Sequence, residues 1–72
     1  FVHPVKVGIV EALWHIGEPL ATADLERIFA GQVYLAQIDY HVQSLAKKGA
    51  IVKVTRTNTD RTVQNFYSLP PT

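Results

Sequence analysis

Between Phe29 and Leu35 the apolar pattern of the chain breaks for only about four residues, Gly31 to Tyr34. Both flanks are helical in period. Leu25, Ile28 and Phe29 stand at i, i+3 and i+4, and Leu35, Ile38, Val42 and Leu45 repeat along one face of a second helix. A link this short does not return the chain as a long hairpin, so the two helices must cross. The second helix is predicted to span about Leu35 to Lys48: Lys47 and Lys48 suit the negative end of its dipole, and Gly49 stops it. Beyond Gly49 the period becomes two. Ile51 to Arg56 is rich in β-branched residues, and Thr62 to Leu69 alternates with Val63, Tyr67 and Leu69 on one side. The polar stretch Thr57 to Arg61 between them lacks glycine, which predicts a wide, mobile tip rather than a two-residue turn.

Upstream lies one more helix, about Pro4 to Ile16. Pro4 fits the first helical position and Gly17 the left-handed position after the last. Val5, Ile9, Ala12, Leu13 and Ile16 form its buried face. A second stripe, Val7, Val10 and Trp14, lies well round from the first, and a surface helix needs only one. The short middle helix is predicted from Thr22, as N-cap, to Phe29, with Asp24 favourable at its positive end. Pro19-Leu20-Ala21 before it can form a minimal strand. The expected fold is therefore mainly α with a small antiparallel β-hairpin (α+β): a winged helix-turn-helix, three helices plus a wing, as one domain over residues 1–72.

Composition narrows the chemistry. Without cysteine there is no disulfide, thiolate metal site or cysteine nucleophile. No apolar run approaches the roughly 18 residues of a membrane span, so a cytoplasmic, nucleoid-associated location is expected, with no membrane partner. The net charge is only +1, but it is unevenly placed. Residues 1–46 carry Lys6 and Arg27 against Glu11, Glu18, Asp24, Glu26 and Asp39, a balance of −3. Residues 47–72 carry Lys47, Lys48, Lys53, Arg56 and Arg61 against Asp60, a balance of +4. The basic end is the candidate surface for phosphate.

The string Tyr40-His41-Val42-Gln43-Ser44-Leu45-Ala46-Lys47-Lys48-Gly49-Ala50-Ile51-Val52 resembles the recognition-helix signature of ArsR-type transcriptional regulators. It has a His-aliphatic pair, Leu three residues on, then Gly and two apolar residues. His3-Pro4-Val5-Lys6-Val7 resembles the opening of that family's first core helix, and Phe66-Tyr67-Ser68-Leu69 the end of its second wing strand. The resemblance covers nearly the whole chain. It implies sequence-specific binding of double-stranded DNA in transcriptional control, as a repressor occupying a promoter.

In a helix-turn-helix the second helix of the pair enters the major groove. With Ile38, Val42 and Leu45 buried, Ala36, Tyr40, Gln43 and Lys47 face outward, flanked by Gln37 and Ser44. Gln pairs with adenine, and Ser or Tyr bonds phosphate. Asp39 opposes strong binding, and Tyr34 stands where a small hydroxyl residue often caps this helix in the resembling family. On the wing, Lys53, Arg56, Asn58, Thr59 and Arg61 can hold backbone phosphates. Thr22 can offer its hydroxyl and nearby amides to another. The Val7, Val10 and Trp14 stripe is the candidate oligomer interface, for a homodimer or a partner protein. The alternative to DNA binding is a winged-helix protein–protein module.

No metal or other cofactor is expected. His3 and His15 lie twelve apart, more than three helical turns, and cannot share an ion. In the resembling family the position of His41 is mainly one of packing and hydrogen bonding. There is no phosphate loop and no nucleophile–base pair, so no enzymatic activity is expected.

Overall fold

The computed structural model describes residues 2–71. Three helices, α1 (Pro4–Ile16), α2 (Thr22–Ile28) and α3 (Leu35–Lys47), precede two strands, β1 (Val52–Thr57) and β2 (Val63–Ser68). The strands pair antiparallel from Val52 opposite Ser68 to Thr57 opposite Val63. The minimal strand expected at Pro19-Leu20-Ala21 is a single bridge. Leu20 and Tyr67 exchange both backbone hydrogen bonds, each 2.8 Å, and this ties the α1–α2 connection to the root of the wing.

Each helix is bounded by local chemistry. Pro4 opens α1, and the N-cap is His3, whose imidazole Nδ1 accepts the Val5 N–H at 3.1 Å. Gly17, at φ 72°, closes it. The N-cap of α2 is Ala21, not the expected Thr22. Alanine has no side-chain acceptor for the helix amides, and the cap is the N3 half of a capping box: the Asp24 carboxylate accepts the Ala21 N–H at 2.9 Å. Asp24 also pairs with Arg27 one turn on. At the end of α3 the Gly49 N–H donates to the Ala46 carbonyl and the Ala50 N–H to that of Leu45. This double closure needs a left-handed residue, and Gly49 supplies it at φ 79°.

The core joins all three helices and the wing root: Ile9 and Leu13 of α1, Leu25 of α2, Ile38, Val42 and Leu45 of α3, with Leu20, Ile51 and Tyr67. Burying one such aliphatic side chain contributes roughly 1.5–3 kcal/mol. Gly8 lets Phe29 approach α1, since a Cβ there would lie 2.8 Å from the Phe29 ring.

Four apolar residues expected inside are outside. Ile16, Ile28 and Leu35 sit at helix ends that overrun the core. Val63, paired with Thr57 at the far end of the hairpin, is 64% exposed and borders only an open concavity beside the start of α2. Tyr67, at the covered end of the same strand, is buried.

Candidate nucleic-acid interface

With Ile38, Val42 and Leu45 turned inward, α3 presents Ala36, Gln37, Tyr40, Gln43 and Lys47 to solvent. At the N-terminal end Tyr34 caps α3 without a hydrogen bond from its own side chain, and Gln37 Oε1 accepts the Tyr34 N–H at a long 3.4 Å. Ser44 departs from the stripe: it is half-buried, and its hydroxyl accepts a hydrogen bond from Lys6 Nζ of α1 at 3.1 Å. Its contact therefore runs inward, across to the first helix.

Asp39 and Gln43 form a unit. One turn apart on α3, they are joined by a 2.8 Å hydrogen bond from Gln43 Nε2 to Asp39 Oδ2. A concave surface runs from this pair to the wing root, bringing Tyr40, Gln43, Ser44 and Lys47 of α3 towards Lys53, Asn65 and Tyr67. Lys47 of α3 and Lys53 of β1 put positive charge on its lining, and Asp39 a negative one. A smaller concavity on the far side of Asp39 reaches Thr22 at the start of α2, with Gln64 and Asn65 of the wing. The phenol of Tyr67 titrates above its usual range, first because it is buried and second because Asp39 is near.

The other wing residues lie further out. Arg56, Asn58, Thr59 and Arg61 are exposed and border neither concavity. Lys53 and Arg56 are three apart on a strand, so they leave opposite faces of the hairpin. Arg56 lies over the ring of Phe66, its guanidinium carbon 4.9 Å from the centroid.

The wing tip is bonded rather than loose. The Arg61 N–H donates to the Asn58 carbonyl at 3.0 Å and the Asn58 N–H to the Thr62 carbonyl at 2.8 Å. The Thr62 hydroxyl accepts from Asn58 Nδ2 and donates to Asp60 Oδ1. The Thr62 hydroxyl first, and then the Thr62 N–H, which donates to the same Oδ1 at 3.0 Å, hold the Asp60 carboxyl below its ordinary range. Arg61 closes the turn in the left-handed conformation, at φ 69°. Two side chains, Asn58 and Asp60, thus organise a turn that has no glycine.

His41 is buried against α1, its ring 4.5 Å from that of His3 and edge-on to Tyr40 at 5.3 Å. It packs as expected of its position, but its Nδ1 finds no hydrogen-bond partner. Burial, then the nearness of His3 and of Lys6, lowers its pKa from the usual 6.5. Among the described residues no three His, Cys, Asp or Glu side chains converge as metal ligands.

On α1 the expected interface stripe divides. Val10 is half-buried against the core, whereas Val7 is exposed and Trp14 is 72% exposed. Among the described residues no helix is long and apolar enough to cross a membrane.

No protein-family model matches the chain, and no curated protein matches it. Solved structures do. PadR of Bacillus subtilis in complex with operator DNA superposes with a TM-score of 0.79 at 22% identity, over 94% of this chain and 41% of that one. The ferric uptake regulator of Francisella tularensis with iron gives 0.78 at 15% identity, over 96% of this chain and 52% of that one. The Thermoplasma acidophilum protein TA0346 gives 0.77 at 16% identity, over 92% and 65%. The chain therefore spans less than two thirds of each of these proteins. At these identities the likeness shows the fold, which is the winged helix-turn-helix. The likeness does not single out the ArsR type.

Proposed function

We propose that this chain binds double-stranded DNA and regulates transcription, with α3 in the major groove and the wing along the backbone. The observation that carries the proposal is the arrangement of α3. Its outer stripe of Gln37, Tyr40, Gln43 and Lys47 is exposed, and Tyr40, Gln43 and Lys47 line a concavity whose other side carries Lys53. Glutamine suits base edges and the two lysines suit phosphates. The similarity to a PadR solved on operator DNA supports the same reading. Repression by promoter occupancy and an ArsR-type lineage rest on the sequence resemblance, and a cytoplasmic, nucleoid-associated location on the lack of a long apolar run in the sequence. The role is one of binding, not catalysis.

Fluorescence anisotropy with labelled duplexes over a salt series tests the proposal. Lys47, Lys53, Arg56 and Arg61 supply up to four phosphate contacts, so log K should fall against log salt with a slope of roughly −3 to −4 per domain. Absence of binding at low salt overturns the proposal, and so does affinity indifferent to salt.

A second reading has its own observation. Val7 and Trp14 expose an apolar stripe on α1. That face suits a homodimer or a partner protein, alongside DNA binding or in place of it. Sedimentation across a range of concentrations tests self-association, and Trp14 emission should shift to the blue if the face becomes covered.

A further inference from the structure

We infer that Asp39 fixes Gln43 as a reader of adenine and bars guanine from the same position. The inference rests on the DNA-binding reading above and specifies what that site recognises.

The argument begins with the amide. A free glutamine on a helix surface can turn its terminal group over, presenting oxygen or nitrogen to a base at similar cost. It then accepts adenine, and it can also donate both protons to the acceptors of guanine. Gln43 does not have that freedom. Its Nε2 lies 2.8 Å from Asp39 Oδ2. A carboxylate has no proton to give, so the atom facing it must be the amide nitrogen. Turning the amide over would set Oε1 against Oδ2, acceptor against acceptor. The groups left free are Oε1 and the second Nε2 proton. One acceptor beside one donor is the complement of adenine, which offers N6–H₂ and N7 in the major groove. Guanine offers two acceptors, N7 and O6. Pairing with it would need two outward donors, and Asp39 already holds one.

The carboxylate adds a second discrimination. Asp39 borders both concavities beside α3. An anion there attracts the exocyclic amino groups of adenine or cytosine and repels the oxygens of guanine and thymine. Asp39 therefore lowers general affinity for the polyanion while sharpening the choice of base. It is a positioning residue for Gln43: Gln43 is exposed and Asp39 half-buried beside it.

The test is selection from a duplex library with a randomised core, using the wild-type chain and the variants Asp39→Ala, Asp39→Asn and Gln43→Ala. Anisotropy then compares the winning duplex with its A·T→G·C substitution at each position. The wild type should show a position where adenine outranks guanine by about tenfold, within the range of one bidentate pair. Gln43→Ala should abolish that preference. Asp39→Ala should lose most of it while binding random duplex more tightly, because an anion is gone. Asp39→Asn should weaken it as well, since the Asn amide can donate to Gln43 Oε1 as readily as accept from Nε2 and no longer fixes which way Gln43 faces. If Asp39→Ala keeps the wild-type preference, the inference fails. It fails equally if the wild type binds with strong salt dependence but shows no adenine position, and the DNA-binding reading then survives. If no duplex binds the wild type, both fall.

Discussion

The imidazoles of His3 and His41 lie against each other, ring centroids 4.5 Å apart, and join the N-cap of α1 to the middle of α3. His3 caps through Nδ1, a role open only to an unprotonated nitrogen. His41 is buried beside it, with the Lys6 ammonium also near. A proton added to His41 is buried and lies close to the Lys6 ammonium.

Stability should therefore depend on pH in a defined direction. His41 holds its proton less tightly folded than unfolded, because of its burial first and of His3 and Lys6 next. Below the ordinary value of 6.5 the unfolded chain takes up a proton that the folded chain resists, so stability falls with pH through that window. Urea midpoints measured at about pH 7.5 and about pH 5.5 should decrease, and His41→Phe should flatten the decrease while keeping a ring against His3. A wild-type midpoint that does not move across this window would contradict the arrangement.

Arg61 separates stability from binding. A side chain at φ 69° is strained by about 1 kcal/mol, which glycine would relieve. Arg61→Gly should raise the melting temperature slightly. The same change removes a wing cation, so DNA affinity should fall for all sequences and the salt slope should shrink by about 1. A variant that loses stability would show that Arg61 makes a contact the bonded tip does not reveal.

Asp24 serves α2 twice, accepting the Ala21 N–H and pairing with Arg27. Asp24→Ala should cost about 1 kcal/mol, most of it from the cap rather than the exposed ion pair. Arg27→Ala should cost much less. Chemical denaturation of the two variants gives the comparison directly.

Two apolar residues should respond in opposite ways to truncation. Ile38 is fully buried at the centre of the core, and Ile38→Ala should cost roughly 2–5 kcal/mol, enough to unfold much of so small a domain. Val63 stands exposed near the wing tip, and Val63→Thr should change stability by less than about 0.5 kcal/mol. Circular dichroism melts of both variants would show whether the core ends at the wing root.

Local signals carried much of the fold. Pro4, Gly17 and Gly49 punctuate α1 and α3 where their backbone chemistry requires, and Ile38, Val42 and Leu45 mark the buried side of α3 by period alone. Once that side is known, the outward positions of Gln37, Tyr40, Gln43 and Lys47 follow. What depends on distant neighbours was not legible. His3 and His41 are 38 positions apart, and nothing in their spacing announces a stack. Ser44 looks like one more outward polar residue until Lys6 is seen to hold it. Val63 alternates correctly with Tyr67, but it stands exposed at the far end of the hairpin, paired with Thr57. Thr22 was a reasonable cap, but the N-cap is Ala21, whose N–H the Asp24 carboxylate accepts. The Asp39–Gln43 spacing was visible at i, i+4, but there Asp39 read only as an obstacle to DNA.

An NMR titration of isotope-labelled protein with a short duplex, at two salt concentrations, tests the central claim most directly. The expected shifts gather on Gln37, Tyr40, Gln43, Lys47 and Lys53, extend to Arg61, and weaken as salt rises. If these residues stay still at low salt, α3 and the wing are not a DNA-binding surface, and the exposed Val7 and Trp14 face becomes the place to seek a protein partner.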